Sequence, residues 1–244
     1  MVRSKVLFVI PAYNEEGNIK KVLNEIKKEV KYADIVVVND CSLDHTKKIV
    51  EECNVRCIDG IFNMKYAWAV QTGLKYAYQN NYDYVIQFDA DGQHIAKEAI
   101  KLLEEMKNSD VDIVIGSRYL KKLGYPCPFF RRVGTKMFEW LIQIFCKEKI
   151  VDPLSGFQCL NKRVVEKYAK MGEYPEFPDA NLIIEMLMQG YKIKEVPVKM
   201  RLREVGESMH GGIIKPIKYM INIFYSIFFI LIRHICTKKV KKNG

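Results

Sequence analysis

The chain has 244 residues, 49% of them hydrophobic and 28% charged. That is enough for one large α/β domain with a sizeable core, and too apolar for a disordered chain. Lysine and arginine number 39 against 29 acidic residues, so an anionic partner is expected: a membrane surface or a phosphorylated substrate, and not nucleic acid, for which no helix-turn-helix, RNA-binding or zinc-finger signature occurs.

In chain order, residues 6–10 form a near-continuous apolar run of the kind found in a strand covered on both faces. A turn with Pro11, Tyr13, Asn14 and Glu15 follows, Asn14 being the expected N-cap of a helix that runs to about residue 31. Residues 35–38 read as a second buried strand, ending in a polar turn from Asn39 and Asp40 to Thr46 and then a helix over 47–53. A short strand is expected at 55–58 and a helix at 63–77. Residues 83–89 form the next strand, which runs into Asp89-Ala90-Asp91-Gly92-Gln93-His94. A helix over 95–107 and a strand over 112–116, ending at Ser117-Arg118, complete the regular part.

Strands alternate with helices, and polar residues collect just after the strands. This is the pattern of a doubly wound, mostly parallel sheet, whose ligands bind at the strands' carboxyl ends near a topological switch point. No G-x-G-x-x-G and no P-loop occurs, so neither the usual dinucleotide site nor an NTPase site is supported. Asp89 and Asp91 stand two apart, and in extended geometry their carboxylates point to one side. Together they suit a hard divalent ion, Mg²⁺ or Mn²⁺, that also takes oxygens from a substrate phosphate, with Gln93 as an auxiliary ligand or hydrogen-bond partner. The plainer alternative is a solvated acidic turn that caps the next helix.

Beyond residue 120 the pattern is less regular. A proline-rich loop over 125–130 leads past Arg131 and Arg132 to an amphipathic helix over 133–145. The turn at 152–157 precedes a short strand or sheet edge, and a helix is expected at 161–170. A helix opens near Asp179 and closes at Gly190 as its C-cap, and an alternating strand covers 193–200. The segment 213–235 is apolar between basic flanks, with Lys215 and Lys218 before its densest part and Arg233, Lys238, Lys239, Lys241 and Lys242 after it. That densest part, residues 219–232, falls short of the about 20 residues a membrane-spanning helix needs. It reads as an interfacial amphipathic helix, the alternative being a C-terminal helix packed on the core. The division expected is a catalytic domain over 1–210 and a membrane-associating tail over 211–244. The seven cysteines are odd in number and lack a C-x-x-C, which points to reduced thiols in the cytosol rather than a disulfide framework or a zinc site. The apolar run at the N-terminus is too short for a signal peptide.

Taken together, Pro11-Ala12-Tyr13-Asn14-Glu15, the stretch 38–46 and Asp89-Ala90-Asp91 resemble the family 2 glycosyltransferases, which have the GT-A fold. The resemblance covers residues 5–208. The stretches 115–119, 152–157, 195–198 and 206–208 look like those of the polyprenyl-phosphate sugar transferases, such as dolichol-phosphate mannose synthase. The resemblance implies that Pro11, Tyr13, Glu15, Asn39 and Asp40 line a nucleoside pocket. It further implies that Asp89 lies near the ribose or the metal, and that Asp91 coordinates Mg²⁺ or Mn²⁺ on the diphosphate with help from Gln93. Two departures stand out: Asn39 occupies a position where the family usually has Asp, and the loop 63–68 lacks the family's glycines.

The implied reaction is a single inverting displacement, carrying a sugar from a UDP- or GDP-sugar to undecaprenyl or dolichyl phosphate at the cytoplasmic membrane face, for cell-surface glycan or glycoconjugate synthesis. A phosphate acceptor needs cationic positioning, for which Arg118, Arg131 and Arg203 are the candidates. A hydroxyl acceptor would need a carboxylate base, and Asp179 holds the family's base position, with helix capping as its other role. Asp152 is expected to fix its own turn. His94, His210, Trp68 and Trp140 are expected to be structural, the tryptophans in the core or an interface. The other functions considered are a soluble transferase acting on a saccharide or protein hydroxyl and a non-catalytic nucleotide-sugar-binding scaffold. A small integral-membrane partner is a further expectation, because the tail is short for an anchor.

Overall fold

Leu7 and Val9 pack on one side of the first strand and Phe8 and Ile10 on the other, all fully buried. A strand alternates its side chains between faces, so a continuous apolar run requires a sheet covered on both sides. The computed structural model describes residues 4–121, 125, 129–202 and 214–243, with side chains described throughout except at 129–131, 214–217 and 237–243.

The elements are β1 (Val6–Ala12), α1 (Ile19–Glu29), β2 (Asp34–Asn39), α2 (Thr46–Glu52), β3 (Arg56–Asp59), α3 (Tyr66–Gln79), β4 (Tyr84–Gln87), α4 (Ala96–Asn108), β5 (Ile113–Ser117), α5 (Phe129–Cys146), β6 (Gln158–Asn161), α6 (Lys162–Ala169), α7 (Ala180–Met188), β7 (Ile193–Pro197) and α8 (Ile214–Asn243). They build a seven-stranded sheet in the order β3-β2-β1-β4-β6-β5-β7. All pairings are parallel except those of β6, which runs antiparallel between β4 and β5. One core places α1 and α4 on the face carrying Phe8 and Ile10, and the other places α3, α5, α6, α7 and α8 on the face carrying Leu7 and Val9. The chain winds outward from β1 to β3, then returns to place β4 on the other side of β1. The switch point therefore lies between the carboxyl ends of β1 and β4.

Two expectations are narrowed and two change. The strand after residue 157 is not at an edge: β6 is central, and Cys159 and Leu160 are fully buried. Asn14 does not cap α1. It sits at φ 53°, its side chain accepts the Leu43 amide, and the helix begins at Ile19 after a turn closed on the Glu15 carbonyl. Trp140 is 61% exposed, which leaves the interface of its two expected places and not the core, whereas Trp68 packs over Gly60. The apolar tail forms a helix longer than its apolar core, and within it Lys218–Cys236 is long and apolar enough to cross a membrane by length and composition, at mean hydropathy 1.6.

One stripe of α8 (Tyr219, Ile223, Ile227 and Ile230) is buried in the core beside α7. Ile221, Tyr225, Phe228, Phe229 and Ile235 face outward, each about half exposed or more. One face of the helix is thus packed on the core, as in the second alternative, and the other is apolar and exposed. The expected boundary at residue 210 falls outside the described residues. The six described cysteines are all free.

Helix α3 packs tightly on the sheet at Gly73, where an added Cβ would stand 2.2 Å from Val9 Cγ1 on β1. Gly73→Ala should cost about 1–3 kcal/mol through overpacking. Pairing it with Val9→Ala should recover part of that loss, as urea denaturation of the three variants will measure.

Candidate functional site

Strand β4 ends at Gln87, and Phe88, the two aspartates and Gly92 carry the chain off the sheet at the switch point. Gly92 takes φ +77°, a left-handed conformation that glycine adopts without steric cost. Asp91 Oδ1 accepts the Gln93 amide at 3.0 Å, which closes an Asx turn. The acidic turn does not cap α4: Ile95 occupies the N-cap, and the Ala96 amide goes to Glu25 Oε1 on α1.

Asp89 is held from two sides. Its amide donates to His94 Nδ1 at 3.0 Å, and His94 Nε2 stands 3.6 Å from its carboxylate. Nδ1 is therefore the accepting nitrogen of a neutral ring. His94 lies stacked on Phe157 with ring centres 4.5 Å apart, and burial pushes its pKa down to about 4. It is a structural support, as expected; His210 lies outside the described residues. From the opposite side the Tyr66 hydroxyl, on the first turn of α3, donates to Asp89 Oδ1 at 3.2 Å. Gly156 allows this approach, since a Cβ there would stand 3.0 Å from that hydroxyl.

Asp40 is buried, and its carboxylate accepts the amides of Met64 and Lys65 at 2.7 and 2.8 Å. It thereby holds Lys65 at φ 75°, ψ 169°, a region that side chains other than hydrogen rarely occupy. This is the loop where the family's glycines are missing. Asn39 sits between Asp59 and Ser42, its amide donating to Asp59 Oδ1 and its carbonyl oxygen accepting from Ser42. Glu15 is buried with its amide on Thr46 Oγ1, Pro11 is buried at the end of β1, and Tyr13 is 44% exposed at the rim.

Arg118, just past β5, makes a two-pronged bond to Asp152 through Nε and Nη2 at 2.8 and 2.7 Å. Asp152 also accepts the Arg118 amide, so its carboxylate fixes Arg118 rather than its own turn. The Asp152 amide and that of Val151 are in turn held by Glu195 of β7. Nη1 of Arg118 makes no hydrogen bond among the described residues. Of Arg131 only its place in α5 is described, and Arg203 lies outside the described residues. Gln93 joins the site to the segment after β7, its carbonyl accepting the Arg201 amide at 2.8 Å.

Asp179 occupies the N-cap position of α7 but makes no capping bond. Asn181 Oδ1 takes the Asp179 amide, and Asp179 Oδ2 accepts the Tyr219 hydroxyl of α8 at 2.7 Å. Burial is the largest influence on this carboxyl and pushes its pKa up to about 6. The Tyr219 bond and Arg118 oppose that rise, whereas Asp89 and Asp152 add to it. Asp179 is thus within electrostatic reach of the rest of the site. Tyr66 and Tyr219 were not legible as site residues: a tyrosine opening a helix and a tyrosine on an apolar stripe both read as packing.

No group of three or more His, Cys, Asp and Glu among the described residues could hold a metal ion by itself. Asp89 and Asp91 supply carboxylate oxygens only, which fits Mg²⁺ or Mn²⁺ sharing its coordination with a phosphate and water.

The sequence profile of glycosyl transferase family 2 matches residues 7–168. The chain belongs to glycosyl transferase family 2. A UDP-N-acetylglucosamine–dolichyl-phosphate N-acetylglucosaminyltransferase from Methanococcus voltae is 28% identical over 82% of this chain and 86% of its own. A dolichol-phosphate mannosyltransferase from Pyrococcus furiosus is 34% identical over 85% of this chain and 60% of its own. Among solved structures, a mannosyltransferase from Pyrobaculum calidifontis in complex with GDP-Man and Mn²⁺ superposes with TM-score 0.68 at 16% identity, over 93% of this chain and 65% of the other. At that identity the likeness concerns the fold, which is the expected GT-A arrangement of a mostly parallel sheet flanked by helices.

Two stability effects follow. Relief at Lys65 is worth about 1–3 kcal/mol, against about 1 kcal/mol for the added freedom of a glycine in the unfolded chain. Lys65→Gly should therefore stabilise the protein by about 1 kcal/mol in urea denaturation. Asp179 binds its proton more tightly folded than unfolded, so its cost to stability grows as pH rises from about 4 through about 6. Asp179→Asn should be more stable than the parent by about 3 kcal/mol at pH 7.5 and close to it near pH 4, as denaturation at the two pH values will measure.

Proposed function

We propose that this protein is a metal-dependent, inverting glycosyltransferase that moves a sugar from a nucleotide-sugar to a polyprenyl phosphate at the cytoplasmic membrane face. The observation that carries the acceptor is α8, whose packed stripe reaches Asp179 while its other face is apolar and open. Such a helix, with basic flanks, suits the headgroup boundary of an anionic bilayer and puts the site beside it. The names of the Methanococcus and Pyrococcus relatives, both transferases to dolichyl phosphate, support the same acceptor class.

Pro11, Tyr13, Glu15, Asn39 and Asp40 bound the nucleoside end. Asp40 acts there through the loop it pins, and Tyr13 as a rim group. Asp89 and Asp91, with Gln93 closing their turn, would hold Mg²⁺ or Mn²⁺, in keeping with the Mn²⁺ and GDP-Man of the Pyrobaculum structure. Bound there, the ion would offset charge on the departing diphosphate. A non-bridging oxygen of the acceptor phosphate attacks the anomeric carbon from the face opposite the diphosphate. The new C–O bond forms as the bond to the diphosphate breaks, and the nucleoside diphosphate leaves with the electron pair. The attacking oxygen is already anionic and needs no strong base. Arg118, through Nη1, together with Arg131 and Arg203, would position the phosphates.

A hydroxyl acceptor is the second reading, favoured by the Asp179 carboxyl at a pKa near 6, well placed for a general base near neutral pH. Lipid surface is the occupant assigned to the open face of α8. Binding of the purified protein to anionic vesicles would dismiss a small integral-membrane partner as its necessary cover.

Purified protein with Mn²⁺ or Mg²⁺, labelled UDP- and GDP-sugars and undecaprenyl or dolichyl phosphate should transfer label into the organic phase. Chelation or Asp91→Ala should lower that transfer by roughly a hundred-fold or more. Donor turnover that yields only water-soluble product would reject the lipid acceptor.

A further inference from the structure

Helices α7 and α8 meet along a polar seam as well as an apolar one. Tyr219, Ser226 and Arg233 follow one another at two-turn intervals on α8, hence on one face. Each bonds a residue at the start or along the length of α7: Tyr219 to Asp179, Ser226 to Asn181 at 2.9 Å, and Arg233 to Glu185. Asn181 and Glu185 are buried, and buried polar groups in a helix interface fix register, because a shift by one turn leaves each without its partner. The seam therefore sets where Tyr219 stands relative to Asp179. The Tyr219 ring is itself clamped, edge-on to Phe177 with centroids 5.0 Å apart, and is only 8% exposed.

Among the described residues the Asp179 carboxylate has no hydrogen-bond partner besides Tyr219. It does not cap α7, and Oδ1 accepts no hydrogen bond among the described residues. Oδ2 is held by the Tyr219 hydroxyl, so that hydroxyl determines which way Oδ1 turns. Tyr66, which bonds Asp89, feels the charge of Asp179, so this carboxylate belongs to the same site.

We propose that Tyr219 is a positioning residue of the transferase, its hydroxyl holding Asp179 so that Oδ1 faces the bound sugar or acceptor, and that α8 is thereby a wall of the site as well as its membrane-facing helix. This rests on the transferase reading above and adds to it a residue outside the family-matched span of 7–168.

Tyr219→Phe keeps the ring and its packing on Phe177 and removes one hydroxyl. Turnover should fall about ten-fold or more, as expected for the loss of one hydrogen bond to a charged group. Donor KM and retention on anionic vesicles should stay within about two-fold of the parent, and Tm should fall by only about 2–8 °C, the cost of one buried hydrogen bond. Tyr219→Phe combined with Asp179→Asn should be no worse than Asp179→Asn alone, because the hydroxyl acts through that carboxylate; a purely structural role would make the two losses add. Turnover is read as nucleoside diphosphate released, so the cycle holds for a lipid phosphate, a hydroxyl or water as acceptor. Label in the organic phase, measured in parallel, tests the acceptor class separately. A crystal structure of Tyr219→Phe should show the Asp179 carboxylate rotated. Full turnover in the single variant, additive losses in the double variant, or an unmoved carboxylate would each overturn the proposal.

Discussion

The far half of the site depends on the ion pair between Arg118 and Asp152. Asp152 is fully buried and the Arg118 side chain is 13% exposed. Two charges withdrawn from water are tolerable only when geometry is good and the remaining hydrogen-bonding capacity is used. Here the carboxylate takes two guanidinium nitrogens and a backbone amide, and the guanidinium also reaches the Leu154 carbonyl. The pair ties the end of β5 to the loop before β6. That loop carries Gly156 against Tyr66 and Asp89, and Glu195 of β7 holds its backbone from below. A central antiparallel strand, a parallel edge strand and the acidic turn of β4 are thus brought to one place by a single buried charge.

The near half is organised by carboxylates that hold backbone. Asp40 grips the amides of Met64 and Lys65, and Asn39 is fixed between Asp59 and Ser42. The Asn39 amide donates to Asp59, a bond that a carboxylate at this position could not make. The departure from the family's usual aspartate is therefore accommodated locally, by a partner on the neighbouring strand β3. Lys65 is a different case: the Asp40 grip keeps it in a backbone conformation that favours glycine while it carries a side chain.

Much of this was legible in the chain because local pattern and fold agree. The apolar runs of β1 and β2 announce strands covered on both faces, and the polar turns after them mark the ligand end of the sheet. The resemblance carried by Pro11 to Glu15, the stretch 38–46 and the acidic pair points to the same family that the profile match establishes. What escaped reading depends on partners distant in sequence. β6 is too short for periodicity to distinguish an edge from the sheet centre. Asn14 has the composition of a cap, yet its side chain is claimed by the Leu43 amide across a turn. Asp179 also looks like a cap, until Asn181 and Tyr219 divide its bonding between them. Counting apolar residues in the tail could not reveal that one stripe is already occupied by the core.

That division of α8 into two stripes has a geometric consequence. A helix fastened to the protein along the stripe from Tyr219 to Ile230 runs beside the core over that stretch rather than projecting from it. A bilayer meeting its open stripe would contact the protein tangentially, with the region around Tyr219 near headgroup depth. A lipid-borne phosphate would then arrive by lateral diffusion in two dimensions, without leaving its own interface, while the spent nucleotide would leave into bulk water. The two substrates would approach from different phases.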